Sequence, residues 1–318
     1  MRRFRSVWPV TASALLVTVL LPAATAQADT SQARAASAGT YNVWQWNVAG
    51  NTFHDGSSDT NMVSLAAASM VNRDADFAAV NELCRGQYDA LIEQLRERNW
   101  PLDESNFARF EPSRAANTDV CGDDEDAYGN AIFSKRPLGT ATRMDLAADG
   151  SKYERRNLLC APLADGSGVR FCATHLTTVD AIKYIQINEI KDRLEGWHGA
   201  GEKVLLAGDL NVQPHYPAMN VVYSASVKSD NNKDNIGAYR ELDDNDTANC
   251  WGYGEPTTNA GAKNSPCDGA QKLDFILVRE SALAAPGSYS ADSLATSESC
   301  TVGLCSDHRI LTGTVRLK

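Results

Sequence analysis

The chain has 318 residues, a formal net charge of −10 at pH 7 and eight cysteines. This length fits one large α/β domain of roughly 250 residues behind a short leader, and no later stretch has the ~20 consecutive apolar residues that a membrane span requires. The acidic balance argues against tight, non-specific binding to polyanions, which depends on clustered Lys and Arg, unless one local basic groove overturns this exclusion.

The first 28 residues have the pattern of a secretory signal peptide. A basic head, MRRFR, precedes an apolar segment that ends in small residues at Ala26 and Ala28. A membrane anchor is the weaker alternative, because proline interrupts the apolar run at both ends. We therefore predict a lead-in over 29–39, one folded domain over 40–318 and a secreted, monomeric protein with no transmembrane segment in its mature chain. Without the leader, which carries three arginines and no acidic residue, the net charge becomes −13.

Hydrophobic periodicity predicts interleaved strands and helices along this domain. In chain order they are a strand at 40–47, a helix at 61–74, a strand at 76–82, a helix at 86–98, a strand at 128–135, a hairpin at 157–175, a helix at 180–197, and strands at 203–208, 272–278 and 309–317. The helix at 180–197 is expected to bury Ile182, Ile185, Ile190 and Leu194. The fold class is therefore α/β, and this many strands suits two stacked mixed sheets with helices outside.

The segment 212–270 is rich in Asn, Asp and Gly and reads as a long loop. Long loops in compact domains are often functional. Two interpretations stay open for it, a substrate-specificity region or a disulfide-linked elaboration.

Eight cysteines behind a signal peptide suggest up to four disulfides. A zinc site is disfavoured because no C-x-x-C pair occurs. If Leu163 faces Val169 across the predicted hairpin, Cys160 lies directly opposite Cys172, within disulfide reach. The other pairings rest only on order along the chain: Cys84–Cys121, Cys250–Cys267 and Cys300–Cys305.

Polar side chains recur where the predicted apolar strands end or begin. Each alone is ordinary, as a turn residue, a solvated carboxylate or a satisfied core group. Gathered at one rim of two stacked sheets, they would suit a hard divalent cation and proton transfer by a histidine held by a carboxylate. The set is Asn47, Glu82, His175, Asp209, Asn211, Asp274, Asp307 and His308.

In their order and spacing these residues resemble the endonuclease/exonuclease/phosphatase superfamily, which has the deoxyribonuclease I-like fold. The resemblance covers 40–318. It implies a four-layer αββα sandwich of two mixed β-sheets and hydrolysis of phosphodiester bonds with Mg²⁺, with Mn²⁺ or Ca²⁺ as alternatives. The motifs are WNV at 46–48, NEL at 81–83, THL at 174–176, GDLN at 208–211, LDFILV at 273–278 and SDH at 306–308.

The resemblance also implies roles for single residues. The metal ligands would be Glu82, Asn47 and Asp307, and the catalytic residues His308, Asp209, Asp274, His175 and Asn211. Phosphate would be contacted by His175, Asn211 and Arg156, although a solvated ion pair competes as an explanation of Arg156. Whether Asp209 or His308 activates water stays open. Side chains two apart on an extended backbone point the same way, so Asp209 and Asn211 are expected to face one phosphate.

Three functions compete. A nuclease-type phosphodiesterase is first, although Cys84 occupies the position two after Glu82 where nucleases of this fold often carry Arg. A phospholipase C or sphingomyelinase-like enzyme is the alternative, with 249–256 (NCWGYGEP) as its candidate membrane contact. Ordinary packing is the preferred explanation of Trp251 and Tyr253 in that segment. A catalytically inactive binding protein of the same fold is third.

Overall fold

A computed structural model of the chain describes residues 39–116, 119–122, 126–247, 250–259, 267, 269–296 and 299–318. The predicted signal peptide, 1–28, and all but the last residue of the lead-in lie outside these residues. Within them, no helix has both the length and the apolar character needed to cross a membrane.

Twelve strands and three helices make up the described fold. The helices are α1 (Met62–Asn72), α2 (Arg85–Glu97) and α3 (Asp180–Gly199). The strands are β1 (Gly39–Asn47), β2 (Phe77–Cys84), β3 (Ala108–Arg114), β4 (Tyr128–Ser134), β5 (Thr142–Asp145), β6 (Asn157–Pro162), β7 (Val169–His175), β8 (Lys203–Asp209), β9 (Tyr239–Glu241), β10 (Asp274–Arg279), β11 (Tyr289–Leu294) and β12 (Ile310–Leu317).

The strands form two six-stranded mixed sheets. The first has the order β11-β12-β1-β2-β4-β3 and the second β5-β6-β7-β8-β10-β9. The pairs β1–β2 and β7–β8 are parallel, whereas the other neighbours are antiparallel. These two sheets are the mixed sheets that the sequence predicted.

Three apolar layers hold the sheets and helices together. Because side chains alternate along a strand, Phe77 of β2 packs inward on Phe171 of β7, with ring centroids 4.9 Å apart, while its neighbour Ala78 faces α1 and α2. On the outer side of the second sheet, Ile190 and Leu194 of α3 pack over β8 and β10. The order of layers is therefore helix, sheet, sheet, helix, which confirms the predicted αββα sandwich.

The four strands that the sequence analysis missed, β3, β5, β9 and β11, are the four edge strands. Edge strands are short or half exposed, so their sequences lack a continuous apolar face. β3 contains Pro112, a residue tolerated at sheet edges, and β9 has three residues.

One prediction about helix packing is wrong. Ile185 of α3 was expected to face the core, but its side chain is 46% exposed. Ile187 occupies the inward position instead and is buried with Ile190 and Leu194. The helix therefore keeps apolar side chains on its outer surface.

All four predicted disulfide pairings are confirmed. Cys160 and Cys172 occupy directly opposed positions of β6 and β7, as the hairpin register predicted. The other three bridges are Cys84–Cys121, Cys250–Cys267 and Cys300–Cys305.

Candidate active site

Strand register brings the predicted site residues to one rim of the sandwich. The parallel pairing of β7 and β8 sets His175 beside Asp209, the last residues of both strands. The antiparallel pairing of β8 and β10 then sets Asp209 opposite Asp274, where β10 begins. Asn47 ends β1 and contacts Asp209 across the sandwich, since its Nδ2 lies 3.1 Å from Asp209 Oδ2.

His308 lies between two buried carboxylates. Its Nδ1 is 2.8 Å from Asp274 Oδ2, and its Nε2 is 3.7 Å from Asp209 Oδ2. Burial opposes the charged form, but the negative charges of Asp274 and Asp209 outweigh it and raise the pKa of His308 to about 10. His308 is therefore an imidazolium at neutral pH, with Nδ1–H donated to Asp274.

Asp209 is a buried carboxylate at the end of β8. Burial raises its pKa to about 7, although the positive charge of His308 opposes that rise. One carboxylate oxygen accepts from Asn211 N–H at 2.8 Å, and the other accepts from the Asn47 amide. Since its pKa lies near neutrality, this group can exchange a proton at physiological pH.

His175 is a neutral imidazole. Burial, reinforced by the positive charges of Arg156 and His308, holds its pKa well below the usual value. Asn211 Nδ2 lies 3.0 Å from His175 Nε2. Because the amide nitrogen donates, Nε2 accepts and the ring proton resides on Nδ1. The same Nδ2 also donates to the carbonyl of Leu176 at 3.0 Å.

Asn211 lies next to His175, but its backbone is not extended there, as the sequence prediction assumed. β8 ends at Asp209, and Asn211 has a left-handed backbone with φ of +51°. The chain turns there, stabilised by the hydrogen bond from Asn211 N–H to Asp209 Oδ1, a local arrangement that Asp favours. The turn, and not an extended backbone, directs the Asn211 amide to His175.

Glu82 reaches the site through a bulge in β2. Its φ is +58°, and the pairing of β2 with β4 shifts register between Val80 and Leu83. Such a bulge redirects a side chain, and here the carboxylate accepts from Asn47 Nδ2 at 3.0 Å. It is also hydrogen-bonded to the hydroxyl of Tyr128, whose pKa is raised well above its usual value by burial and by the Glu82 charge.

The residues at this rim fit a hard divalent cation. Glu82 and Asp209 supply carboxylate oxygens on either side of Asn47, and oxygen donors are what such ions prefer. Burial penalises the charge of Asp209, a penalty that a bound cation would offset. Asn47 turns its amide nitrogen to both carboxylates while its oxygen accepts from Ala49 N–H at 3.1 Å, so coordination through the oxygen requires rotation of the amide.

A second group of possible ligand atoms is formed by Asp209, Asp274 and His308, whose ligand atoms lie within 4.8 Å of one another. An imidazolium has no lone pair to offer a metal, so His308 suits this role poorly. Asp307, predicted as a ligand, has an exposed side chain. Its negative charge contributes to the raised pKa of His308, while its backbone carbonyl accepts from Asn259 N–H at 2.9 Å.

The Arg156 side chain is largely, although not fully, buried, which weighs against the solvated ion pair considered from the sequence. Its guanidinium lies 2.9 Å from Glu154 and 3.8 Å from Asp149, with only 11% of the side chain exposed. Nε and Nη1 lack aligned hydrogen-bond partners among the described residues. The positive charge of Arg156 contributes to the lowered pKa of His175. Arg155, by contrast, is exposed and pairs with Asp145.

A buried chain of amides lies behind the rim, and the sequence did not predict that its members are connected. Gln45 Nε2 donates to Asp274 Oδ1 at 3.0 Å and to Asn81 Oδ1 at 3.2 Å. Asn81 donates to Asn130 Oδ1 at 2.8 Å, and Asn130 donates to Asn157 Oδ1 at 3.0 Å. The only sequence signal was a polar residue inside each apolar strand. We call Gln45, Asn81, Asn130 and Asn157 the amide chain, and it ties the two sheets together beneath the site.

The segment 250–259 forms one wall of the site. Thr257 Oγ1 accepts from Asp274 N–H at 3.0 Å, and Thr258 pairs with His308 as an isolated bridge. Tyr253 is fully buried, as ordinary packing predicts, and its hydroxyl donates to Gln213 Oε1 at 2.7 Å. Trp251 is 51% exposed, so packing does not explain it.

Comparison with models of known protein families identifies one family for this chain. The model of the Endonuclease/Exonuclease/phosphatase family matches residues 44–308. The search of curated proteins finds no match.

Solved structures share the fold at low sequence identity. The human Nocturnin catalytic domain with bound sulfate is 15% identical, with a TM-score of 0.60 over 88% of this chain and 94% of that one. The mannosyl-6-phosphatase Bt3783 of Bacteroides thetaiotaomicron is 13% identical, with a TM-score of 0.57 over 86% and 99%. Truncated TDP2 of Caenorhabditis elegans is 15% identical, with a TM-score of 0.55 over 87% and 97%.

Proposed function

Because the chain belongs to the endonuclease/exonuclease/phosphatase family of phosphoester hydrolases, we propose that it is a secreted, monomeric, Mg²⁺-dependent phosphodiesterase of nuclease type. The observation that carries this proposal is the convergence of Asp209, Asp274 and His308 at one buried rim. The pKa of Asp209 is raised to about 7, so this group can exchange a proton near neutral pH. The pKa of His308 is raised to about 10, so its ring is positively charged there. Such displaced values in a cleft are typical of catalytic sites.

Glu82 and Asn47 would hold the metal ion, next to Asp209. Asp307 would join them only if its exposed side chain turned inward. Oxygen donors of this kind also accept Mn²⁺ or Ca²⁺. A bound divalent ion neutralises charge on the phosphate and lowers the pKa of water.

Asp209 and His308 divide the proton chemistry between them in this proposal. Asp209, with a pKa of about 7, orients the attacking water and accepts its proton. His308 is held as an imidazolium by Asp274, and its Nε2 is too far from Asp209, at 3.7 Å, for a hydrogen bond. Its Nε2–H is therefore available to an oxygen of the phosphate, where negative charge develops.

Phosphate binding falls to the residues on the opposite side of Asp209. Asn211 and neutral His175 are hydrogen-bonded to each other, so a phosphate oxygen would take over the amide donor of Asn211. Arg156 adds a fixed positive charge close to His175. The guanidinium pairs with Glu154 and Asp149, and its remaining donors suit a phosphate, since Arg binds phosphates with several donors.

The test is hydrolysis of three substrates by the purified protein: plasmid DNA, sphingomyelin vesicles and bis(p-nitrophenyl) phosphate. We expect cleavage of DNA and of the small diester with Mg²⁺, and none with EDTA. His308→Ala should remove both activities without unfolding the protein. His198→Ala on α3, whose ring lies 3.5 Å from the Ser281 hydroxyl, is the matched control and should leave both unchanged. Absence of all activity with Mg²⁺, or full activity of His308→Ala, would contradict the proposal.

A lipid phosphodiesterase of the phospholipase C or sphingomyelinase type is the second candidate. The observation in its favour is a set of three exposed apolar side chains near the start of α3. They are Val179, Tyr184 and Ile185, which are 45%, 48% and 46% exposed. Exposed apolar side chains of this kind can contact a membrane surface. Faster cleavage of sphingomyelin than of DNA, lost in Tyr184→Ser with Ile185→Ser, would establish this candidate. An inactive binding protein would cleave none of the three.

A further inference from the structure

An exposed tryptophan stands in a polar groove outside the catalytic centre. Trp251 is 51% exposed, which is unusual for so large an apolar side chain. The groove has a volume of about 470 Å³, within the range of small-molecule sites. Its walls are formed by Lys228, Ser229, Asp230, Asn231, Lys233 and Trp251.

Trp251 is presented by a fixed backbone. Its carbonyl accepts from Asn231 Nδ2 at 3.2 Å, and the next carbonyl, of Gly252, accepts from buried Asn232 at 2.9 Å. Gly252 has a φ of +82°, and a Cβ at this position would collide with the Ser229 hydroxyl. The Cys250–Cys267 disulfide ties the same turn on its other side. Because the backbone that carries Trp251 is already ordered, ligand binding loses little further backbone entropy.

The groove is locally basic in an acidic chain. Lys228 and Lys233 are exposed, and neither forms an ion pair with a carboxylate among the described residues. Among the described residues that line the groove, one, Asp230, is acidic, so these walls carry a formal charge of +1, whereas the whole chain carries −10. Two free ammonium groups beside an indole can neutralise phosphates while the ring stacks on a base.

The groove and the catalytic centre lie along one segment of chain. Trp251 is six residues from Thr257, which contacts Asp274, so the two are at most about 21 Å apart even on a fully extended backbone. Phosphates along one nucleic-acid strand recur every ~3.4 Å. A strand cleaved at the centre would therefore reach Trp251 within about six nucleotides.

We infer that this groove binds a single-stranded stretch of a polynucleotide substrate, with a base stacked on Trp251 and phosphates beside Lys228 and Lys233. The inference rests on the proposed function and specifies its substrate class. A membrane would need further apolar side chains around the indole, but the other five residues of the groove are polar. An unpaired base is needed because a paired base has its faces covered by its neighbours.

The test measures binding of a fluorescein-labelled oligothymidylate of about twelve nucleotides, a length within known single-strand site sizes, by fluorescence anisotropy. EDTA is present, so that no cleavage occurs. Trp251→Ala should weaken binding roughly 5- to 150-fold, the range for loss of one stacked base. Trp251→Phe should stay within a few-fold of the wild type, because the phenyl ring still stacks. The double variant Lys228→Ala with Lys233→Ala should lower the slope of log affinity against log salt concentration by the amount expected for about two lost phosphate contacts.

Leu102→Ala, at an apolar side chain between α2 and β3 with 71% exposure, is the matched control and should bind as the wild type does. Absence of wild-type binding, or equal binding by Trp251→Ala, would overturn the inference. So would a Trp251→Ala variant that loses binding to sphingomyelin vesicles and not to the oligonucleotide. Binding through Trp251 by a protein without hydrolytic activity would refute the proposed function and retain the groove. Diester hydrolysis by a protein whose oligonucleotide binding does not change in Trp251→Ala would refute the groove and retain the proposed function.

Discussion

Replacing Asn81 by alanine should weaken the fold and the site together, because its side chain joins the two sheets. Asn81 Nδ2 donates to Asn130 Oδ1 at 2.8 Å and to the Thr174 carbonyl at 3.0 Å. Its Oδ1 accepts from Gln45 Nε2 at 3.2 Å and from Asp209 N–H at 3.0 Å. Gln45 Nε2 keeps Asp274 as a partner after the substitution, whereas Asn130 Oδ1 and Asp209 N–H each lose a bond.

The magnitude follows from these lost bonds. A buried polar group left without a partner costs about 1–3 kcal/mol, so two such groups cost about 2–6 kcal/mol. Domains of this kind have about 5–15 kcal/mol of stability in total. Asn81→Ala should therefore remove a large share of the free energy of unfolding, and activity should fall because Asp209 loses one of its anchors.

Urea unfolding followed by circular dichroism measures the stability change. Asn72→Ala, an exposed asparagine at the end of α1, is the matched control and should change stability by no more than about 0.5 kcal/mol. A loss below about 1 kcal/mol for Asn81→Ala, with unchanged activity, would refute the idea that the amide chain supports the site.

Two further substitutions test other parts of the structure. Gly208→Ala should abolish activity and lower stability, since its Cβ would collide with the Thr174 carbonyl just before Asp209; an active, stable variant would show that β7 and β8 can separate there. Lys272→Met should destabilise the protein by about 3–5 kcal/mol, because fully buried Lys272 lies 3.4 Å from carboxylates of both Glu241 and Asp243. Burial already raises the pKa of Glu241 to about 8, so the folded state holds a proton that the unfolded state releases near pH 4.5, and stability falls as pH rises through this window. The loss should therefore be larger at pH 8 than at pH 5 in thermal unfolding, and an equal loss at both would contradict this reasoning.

The inner strands of both sheets were predictable, whereas the edges were not. β8 reads KVLLAGD, a continuous apolar run that ends in a charge, because it is covered on both faces. β3 reads ARFEPSR and is half exposed along most of its length, so neither alternation nor hydrophobicity marks it. The outward position of Ile185 was missed for a related reason: isoleucines occur on several sides of α3, and periodicity alone did not select Ile187 as the buried one.

The residues of the candidate site were predictable as a set, but not in their geometry. The register of β7, β8 and β10 brings His175, Asp209 and Asp274 together as the strand ends suggested. Glu82 and Asn211 depend on left-handed backbone conformations, which a period-two pattern does not encode. The Asn47 amide turns its nitrogen toward the carboxylates of Glu82 and Asp209. These two carboxylates come together only in the folded chain, so the sequence could not predict this orientation.

In the proposed function, catalysis depends on a metal ion held by Glu82, and a Mg²⁺ titration of the initial rate tests this dependence most directly. Bis(p-nitrophenyl) phosphate is the substrate, because it is too small to need the Trp251 groove. Metal-free wild-type protein should be inactive and should recover with Mg²⁺, whereas Glu82→Gln should need much more Mg²⁺ or stay inactive. Glu97→Gln, an exposed glutamate of α2, should follow the wild-type curve. Activity that survives EDTA, or a Glu82→Gln titration that coincides with the wild type, would contradict the claim.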